Sequence, residues 1–87
     1  MKIDQNILAA AARILGTSPG STALAHRYLD EADAFYVYVG VRGGGAVIIR
    51  SETEFLFATS AVPLQDHIEA FLAGRRTDPA ILDRHGR

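Results

Sequence analysis

The sequence predicts a small α+β domain in which two N-terminal helices precede a three-stranded antiparallel sheet and a C-terminal helix packs on one face of that sheet. Apolar residues recur at helical spacing before residue 34 and again after residue 63, whereas between residues 35 and 59 they alternate with a period of two. The connecting segments are short and rich in turn formers. Segregated helices and strands in this order are typical of an α+β fold.

Three helices are predicted from apolar stripes and their end signals. The first spans residues 3–15 and ends at Gly16, where a C-cap glycine is expected. The second begins after Ser21 or Thr22 and runs to about residue 33. Its apolar stripe consists of Leu24, Tyr28, Leu29 and Ala32. The third spans residues 63–73, because Pro63 suits a first helical turn and Gly74 suits a helix end.

The three predicted strands cover residues 35–42, 46–50 and 54–60, and the short polar segment 51–54 predicts an antiparallel hairpin between the last two. Alternation assigns one apolar set to the core face: Phe35, Val37, Val39, Val47, Ile49, Phe55 and Phe57. The helices are predicted to cover that face with Leu24, Leu29, Ile68 and Leu72. We expect a single domain over residues 1–76 and a mobile C-terminal tail over 77–87, where little apolar material remains.

Composition limits the classes of partner. The 87 residues include no cysteine, which favours a reducing compartment, and we expect the protein to be cytoplasmic. Nine basic residues oppose ten acidic ones, so no global field attracts nucleic acid or an anionic membrane. No apolar run approaches the roughly 20 residues that a membrane span needs. We therefore expect neither a nucleic-acid partner nor a membrane partner.

The segment "VRGGGAVIIR" at residues 41–50 raises the question of a phosphate-binding loop. A Walker loop needs Lys followed by Ser or Thr after its last glycine, and a dinucleotide loop opens a helix. Here Gly45 leads into a β-branched strand instead. The glycines are interpreted as a turn, or as a place where two backbone segments pass closely.

Residues able to support catalysis or metal binding do not form a recognisable set. His26 and Asp30 would share one face of the second predicted helix and could form half of a metal site, but an exposed ion pair is the simpler interpretation. The serines lie in no nucleophile elbow. We expect no enzymatic activity, no catalytic residue, no metal site and no cofactor.

The face of the sheet opposite the predicted core is the candidate binding surface. Its members form an apolar centre with a charged rim: Tyr36, Tyr38, Arg42, Ile48, Arg50, Glu54 and Leu56. Tyrosine and arginine are favoured at protein interfaces because each offers a large contact area with a polar end. We expect a protein partner, or a second copy of the chain as a homodimer, to bind there. The alternatives are that the first helix covers this face or that the tyrosines are ordinary surface residues.

Two segments, "RYLDEAD" at 27–33 and "GAVIIRSETEFLFATSAVPLQDHIEAF" at 45–71, resemble the small immunity proteins of bacterial polymorphic toxin systems, specifically the YrhB-like immunity protein family thirty-five. The corresponding features are the Tyr28-Leu29 pair, the Gly45-to-Ile49 strand, the Thr59-Ser60 approach with Pro63, and the following helix. The match covers about half the chain. The excursion between the first two strands is shorter here, and the hairpin lacks the glycine of the family.

The resemblance implies an intracellular immunity protein that binds a cognate toxin and neutralises it by occluding its functional surface, with no catalysis and no cofactor. A chaperone or adaptor that binds other proteins through the same sheet face is the alternative function. A small enzyme with unrecognised catalytic residues is a third. The resemblance supplies no binding residues, so the candidate surface depends on the alternation of the strands alone.

Overall fold

A computed structural model describes residues 3–18, 20, 22, 24–40, 45–59 and 61–77. Two helices flank four strands in the order α1 (Gln5–Leu15), β1 (Leu24–Leu29), β2 (Ala34–Val39), β3 (Ala46–Ser51), β4 (Glu54–Ala58) and α2 (Leu64–Leu72). The strands form one antiparallel sheet in the order β1-β2-β3-β4. The α+β class is confirmed, but the sheet has four strands rather than three.

Helix α1 lies within its predicted range. The carboxylate of Asp4 accepts a hydrogen bond from the Asn6 N–H at 2.7 Å and caps the first turn. Gly16 ends the helix at φ 73°, the left-handed conformation that favours glycine. Helix α2 also lies within its predicted range, with Pro63 at the N-cap position.

The second predicted helix is wrong, because its central part is strand β1. Leu24 and Leu29 pair with Val39 and Ala34 of β2, so the segment completes a hairpin. The hairpin closes through residues 30–33, where the Ala32 N–H donates to the Leu29 carbonyl at 3.2 Å and Asp33 adopts a positive φ of 49°. This helix-like turn, together with leucines whose spacing fits either structure, accounts for the misreading. Cross-strand pairing overrides the local helical preference.

The predicted alternation of the strands is confirmed. The face that carries the seven residues assigned to the core is called the inner face. Six of these seven residues belong to one apolar cluster. Helix α1 covers the inner face and packs mainly on β2 and β3. Helix α1 contributes Ala10, Ala11 and Ile14 to the cluster, with Ile7, Leu8 and Leu15 at its margin, and Ile3 joins from the segment just before the helix. The prediction that Leu29, Ile68 and Leu72 cover this face is wrong.

Helix α2 packs on the opposite face, which we call outer, so the helices do not share one face as predicted. Ile68 and Phe71 join Leu29 and Ile48 in a second apolar cluster. Leu72 is 53% exposed, because it lies on the solvent side of α2. The sheet is therefore a central layer between two helices, and its strands are apolar on both faces as a doubly covered sheet requires.

The glycine segment is described only from Gly45 onward, so residues 41–42 of the first predicted strand and most of the turn predicted at the glycines 43–45 lie outside the described residues. The Val39 N–H donates to the Gly45 carbonyl at 3.2 Å, so the β2–β3 ladder extends to this glycine. A Cβ on Gly45 would lie 2.8 Å from Cε1 of Phe57. Gly45 thus permits a close approach between its backbone and an aromatic ring, whereas the expected role was a turn or a close passage of two backbone segments.

The chain after α2 returns to the sheet. The Thr77 N–H donates to the Phe55 carbonyl at 2.8 Å, and the Phe57 N–H donates to the Thr77 hydroxyl, also at 2.8 Å. These bonds occupy the edge of β4 that points away from β3. Thr77, the first residue of the predicted mobile tail, is therefore bound to β4, and residues 78–87 of that tail lie outside the described residues.

Candidate functional site: the outer face of the sheet

The outer face divides into two halves. Over β3 and β4 it is covered by α2, which buries Ile48 completely and leaves Leu56 half-buried. Over β1 and β2 it carries four residues that α2 leaves at least partly accessible: Ala25, Arg27, Tyr36 and Tyr38. We call this group the tyrosine shelf. The sequence predicted that residues from both halves belong to a single binding surface.

A cluster of charged side chains links α2 to the strands that it covers. Glu54 Oε2 accepts hydrogen bonds from Arg50 Nη1 at 2.9 Å and from Arg76 Nη2 at 2.7 Å. The guanidinium carbons of Arg76 and Arg50 lie 3.7 and 5.2 Å from the ring centroid of Phe71. Cation–π contacts of this kind add to the burial of the ring. The cluster therefore joins the end of α2 to the β3–β4 hairpin.

Arg50 and Arg76 also bind main-chain carbonyl groups. Arg50 Nη2 donates to the Ala32 carbonyl at 2.7 Å, and Arg76 Nη1 donates to the Phe71 carbonyl at 2.7 Å. The first bond fixes the β1–β2 turn, and the second adds to the hydrogen bond that the same carbonyl accepts from the Gly74 N–H at the end of α2. The hydrogen bond from Arg76, aided by the charges of Arg76 and Arg50, holds the pKa of Glu54 below its usual value. Arg50 and Glu54, predicted as rim residues of a binding surface, are engaged in internal contacts.

The tyrosine shelf has an aromatic centre and a basic margin. The rings of Tyr36 and Tyr38 stack with centroids 5.2 Å apart and planes inclined by 30°. Arg27 is the cross-strand neighbour of Tyr36, and its side chain is exposed. Among the described residues, the ion pairs join Glu54 to Arg50 and Arg76, and neither involves Arg27.

Small residues on both sides of Tyr38 shape the shelf. In the sheet register Tyr38 lies between Ala25 of β1 and Ala46 of β3, and Ala46 is followed by Ala58 of β4. Side chains of neighbouring strands on one face stand about 5 Å apart. The Tyr38 ring therefore has a small alanine side chain on each side, and a third alanine follows on β4. Parts of the ring that do not stack on Tyr36 are therefore accessible to a partner.

His67 marks the boundary between the two halves. It is 2% exposed, and its Nε2 lies 2.7 Å from the Leu56 carbonyl, to which the neutral ring donates. Its ring meets the ring of Tyr36 edge-on at 6.0 Å. Burial lowers the pKa of His67, an effect that the hydrogen bond to Leu56 partly opposes. Burial also raises the pKa of Tyr36, with a smaller contribution from Tyr38 and an opposing one from Arg27.

The structure separates the seven predicted site residues. Tyr36 and Tyr38 lie together on the shelf, whereas Ile48 is fully buried under α2 and is not part of an accessible surface. Leu56 contributes to the cluster beneath α2. Arg42 lies outside the described residues. The alternative that the first helix covers this face is wrong, because α1 lies on the inner face.

Sequence reasoning missed Ala25 and Arg27, since it assigned them to a helix. The signal that could have identified them is the alternation over 24–29, in which Leu24, His26 and Tyr28 face one way. On the inner face, the Tyr28 ring packs edge-on against the Phe35 ring, with centroids 5.3 Å apart, and the Tyr28 hydroxyl donates a hydrogen bond to the Asp33 carboxylate. That bond raises the pKa of Tyr28, with smaller contributions from burial and from the charges of Asp33 and Asp30.

Within the described part of the chain, no three histidine or carboxylate side chains lie close enough together to hold a metal ion. His26 and Asp30, which were interpreted as an exposed ion pair on one helix face in preference to half of a metal site, belong instead to β1 and to the turn that follows it. No helix in the described ranges has the length and apolar character needed to cross a bilayer.

Comparisons with known proteins identify no relative. No family model, no curated protein and no solved structure matches the chain.

Proposed function

We propose that this is a binding protein whose partner, another protein, docks on the tyrosine shelf. The observation that carries the proposal is the stacked, partly exposed Tyr36–Tyr38 pair beside Arg27 on the half of the outer face that α2 leaves open. Aromatic and arginine side chains at the centre of an interface contribute much of the binding energy there.

The surroundings of the pair support this role. Tyr36 is held from one side by the buried His67, and its backbone is part of the central strands. Tyrosine side chains that are already ordered lose little conformational entropy on binding. The flanking alanines leave room for side chains of a partner beside the Tyr38 ring. A partner that places a carboxylate near Arg27 would also gain a charged hydrogen bond.

For the biological role we propose an intracellular immunity protein that neutralises a cognate toxin by covering its functional surface. The support is the resemblance of residues 27–33 and 45–71 to such proteins, together with a binding surface that requires no cofactor. One corresponding feature differs from the family pattern, because Tyr28-Leu29 ends a strand here rather than a helix. Neutralisation by occlusion needs only affinity for the toxin and coverage of its functional surface.

The experiment combines toxicity with binding. The chain is co-expressed with the toxin-domain gene nearest to it in its genome, and cell growth is compared for the native chain, Tyr38→Ala and Leu72→Ala. We expect the native chain and Leu72→Ala to restore growth, because Leu72 is an exposed apolar residue outside the shelf. Tyr38→Ala should protect less while remaining folded.

The two parts of the proposal fail separately. No protection by the native chain against any neighbouring toxin overturns the immunity role. If the chain then prevents aggregation of unrelated unfolded proteins through Tyr38, the chaperone or adaptor role replaces it. Full protection by a folded Tyr38→Ala variant would instead overturn the shelf as the binding site.

A further inference from the structure

The two edges of the sheet differ. At the β4 edge, Thr77 makes two hydrogen bonds with the backbone of Phe55 and Phe57. At the β1 edge, no residue of the described ranges hydrogen bonds to the outward main-chain groups. An open edge presents a row of donors and acceptors that can pair with another strand. The β1 edge is therefore the place where the sheet can be extended.

The ladder shows which residues of β1 present these groups. Val39 bonds to Gly45 across the β2–β3 ladder, and bonding direction alternates along a strand, so Tyr36 and Tyr38 direct their main-chain groups toward β1. Their partners in β1 are Arg27 and Ala25. The intervening residues, Leu24, His26 and Tyr28, consequently direct N–H and C=O away from the sheet.

From this arrangement we infer that the protein forms a symmetric dimer in which β1 pairs antiparallel with β1 of a second copy, with His26 opposite His26 at the twofold axis. Leu24 then lies opposite Tyr28 of the second copy, and Tyr28 opposite Leu24. All these residues present outward main-chain groups, so the pairing forms about six main-chain hydrogen bonds. The result is a continuous sheet of eight strands.

Charge selects this register over the nearest alternative. In an antiparallel pair of identical strands, a twofold axis can pass through any residue of the strand. Axes at His26 and at Arg27 pair the largest number of residues of the two β1 strands. An axis at Arg27 would place two guanidinium groups directly opposite each other in a pair whose Cβ atoms approach to about 5 Å, which is destabilising. An axis at His26 instead places each Arg27 opposite Ala25 of the other copy, where a small residue faces a long one.

The inner-face side chains are complementary in the same register. Leu24 and Tyr28 are both half-buried and lie at the margin of the α1-covered cluster. Cross-strand pairs of an aromatic and an aliphatic residue stabilise antiparallel sheets. Helix α1 packs mainly on β2 and β3 and so leaves the edge accessible. This interface uses the main-chain edge of β1, and it brings Ala25 and Arg27 of the tyrosine shelf next to the second copy.

Sedimentation of the purified chain over a range of concentrations tests the dimer. We expect a species of twice the chain mass in the micromolar range. The His26→Pro variant should remain folded, because the lost N–H points away from β2 and proline is tolerated on strand edges. It should be monomeric at the concentrations where the native chain is dimeric. A monomeric native chain up to about 1 mM, or a His26→Pro variant that folds and still dimerises, overturns the proposal.

Single cysteines test the register, since the native chain contains none. In the proposed pair the two His26 Cα atoms lie about 5.5 Å apart, within the range of a disulfide. Under mild oxidation His26→Cys should cross-link much faster than Arg27→Cys. Thr53→Cys, in the distant β3–β4 turn, measures collisional cross-linking. Arg27→Cys cross-linking faster than His26→Cys, or both at the Thr53→Cys rate, overturns the register.

Discussion

The covered and open halves of the outer face belong to one sheet surface, yet they use their side chains differently. Over β3 and β4, Ile48 is completely buried beneath Ile68 and Phe71 of α2. Over β1 and β2, Tyr36 and Tyr38 occupy equivalent alternating positions but stay partly exposed. The same period-two pattern therefore produced a core in one half and a candidate binding surface in the other.

The position of α2 explains this difference. The chain enters α2 directly after β4, so the helix packs first on β4 and its neighbour β3. A nine-residue helix is too narrow to cover four strands, which stand about 4.8 Å apart. Of the two strands farthest from β4, the end at Leu29 and Ala34 is buried with α2, and the remainder is left open. Exposure of the tyrosine shelf thus follows from connectivity as much as from side-chain type.

The largest loss of stability is expected from a substitution in the apolar cluster beneath α2. Phe71→Ala removes a ring that is 1% exposed and contacts both Arg50 and Arg76. We expect a loss of about 3 to 5 kcal/mol in the free energy of unfolding, measured by urea denaturation. Leu72→Ala, on the exposed side of the same helix, is the control and should change stability by less than about 0.5 kcal/mol. Equal effects would contradict the placement of α2.

A smaller effect is expected from the charged cluster. Glu54→Gln removes the carboxylate shared by Arg50 and Arg76 and should lower the melting temperature. The difference from the native chain should shrink as salt is added, because these charges are partly solvated. Glu52→Gln, in the same hairpin but exposed at its turn, is the matched control. A melting temperature equally unaffected by both substitutions would show that the cluster does not fasten α2.

The boundary between the halves predicts a pH dependence. Because burial lowers the pKa of His67, the unfolded chain binds a proton more readily than the folded one, and stability falls as pH decreases from about 6.5 through the lowered pKa. His67→Gln keeps a donor for the Leu56 carbonyl without titrating. Between about pH 7.5 and 5 its melting temperature should fall less than that of the native chain.

His26→Gln replaces an exposed histidine and serves as the control. The carboxyl group of Glu54, with its lowered pKa, loses its charge only below this pH range. An identical loss of stability in the native chain and in His67→Gln would contradict the proposed role of the buried ring.

Much of the sheet could be predicted from the sequence, because alternation fixes the face of each side chain once a strand is recognised. The inner-face set and the β3–β4 hairpin were obtained in this way. The 24–29 segment was misassigned because Leu24, Tyr28 and Leu29 satisfy a helical stripe as well as an alternating strand. Only the pairing with β2, a long-range interaction, distinguishes the two.

The candidate site was predicted in part for a related reason. Alternation placed Tyr36 and Tyr38 correctly on the outer face, but it could not show which positions a helix would later cover. Ile48 and Tyr36 have the same parity and directly pair across β2 and β3, yet one is buried and the other is not. The difference depends on where α2 lies, which periodicity alone does not encode.

The central claim is that the open half exists for binding rather than for stability. The most direct test is titration calorimetry of the native chain, Tyr38→Ala and Leu72→Ala against the toxin domain that the chain is proposed to neutralise, with unfolding measured for each variant. We predict that Tyr38→Ala weakens the complex by about 2 kcal/mol, roughly thirtyfold in Kd, with less than about 1 kcal/mol lost in folding. Leu72→Ala should bind like the native chain. A folded Tyr38→Ala variant with native affinity, or one that unfolds, would contradict the account.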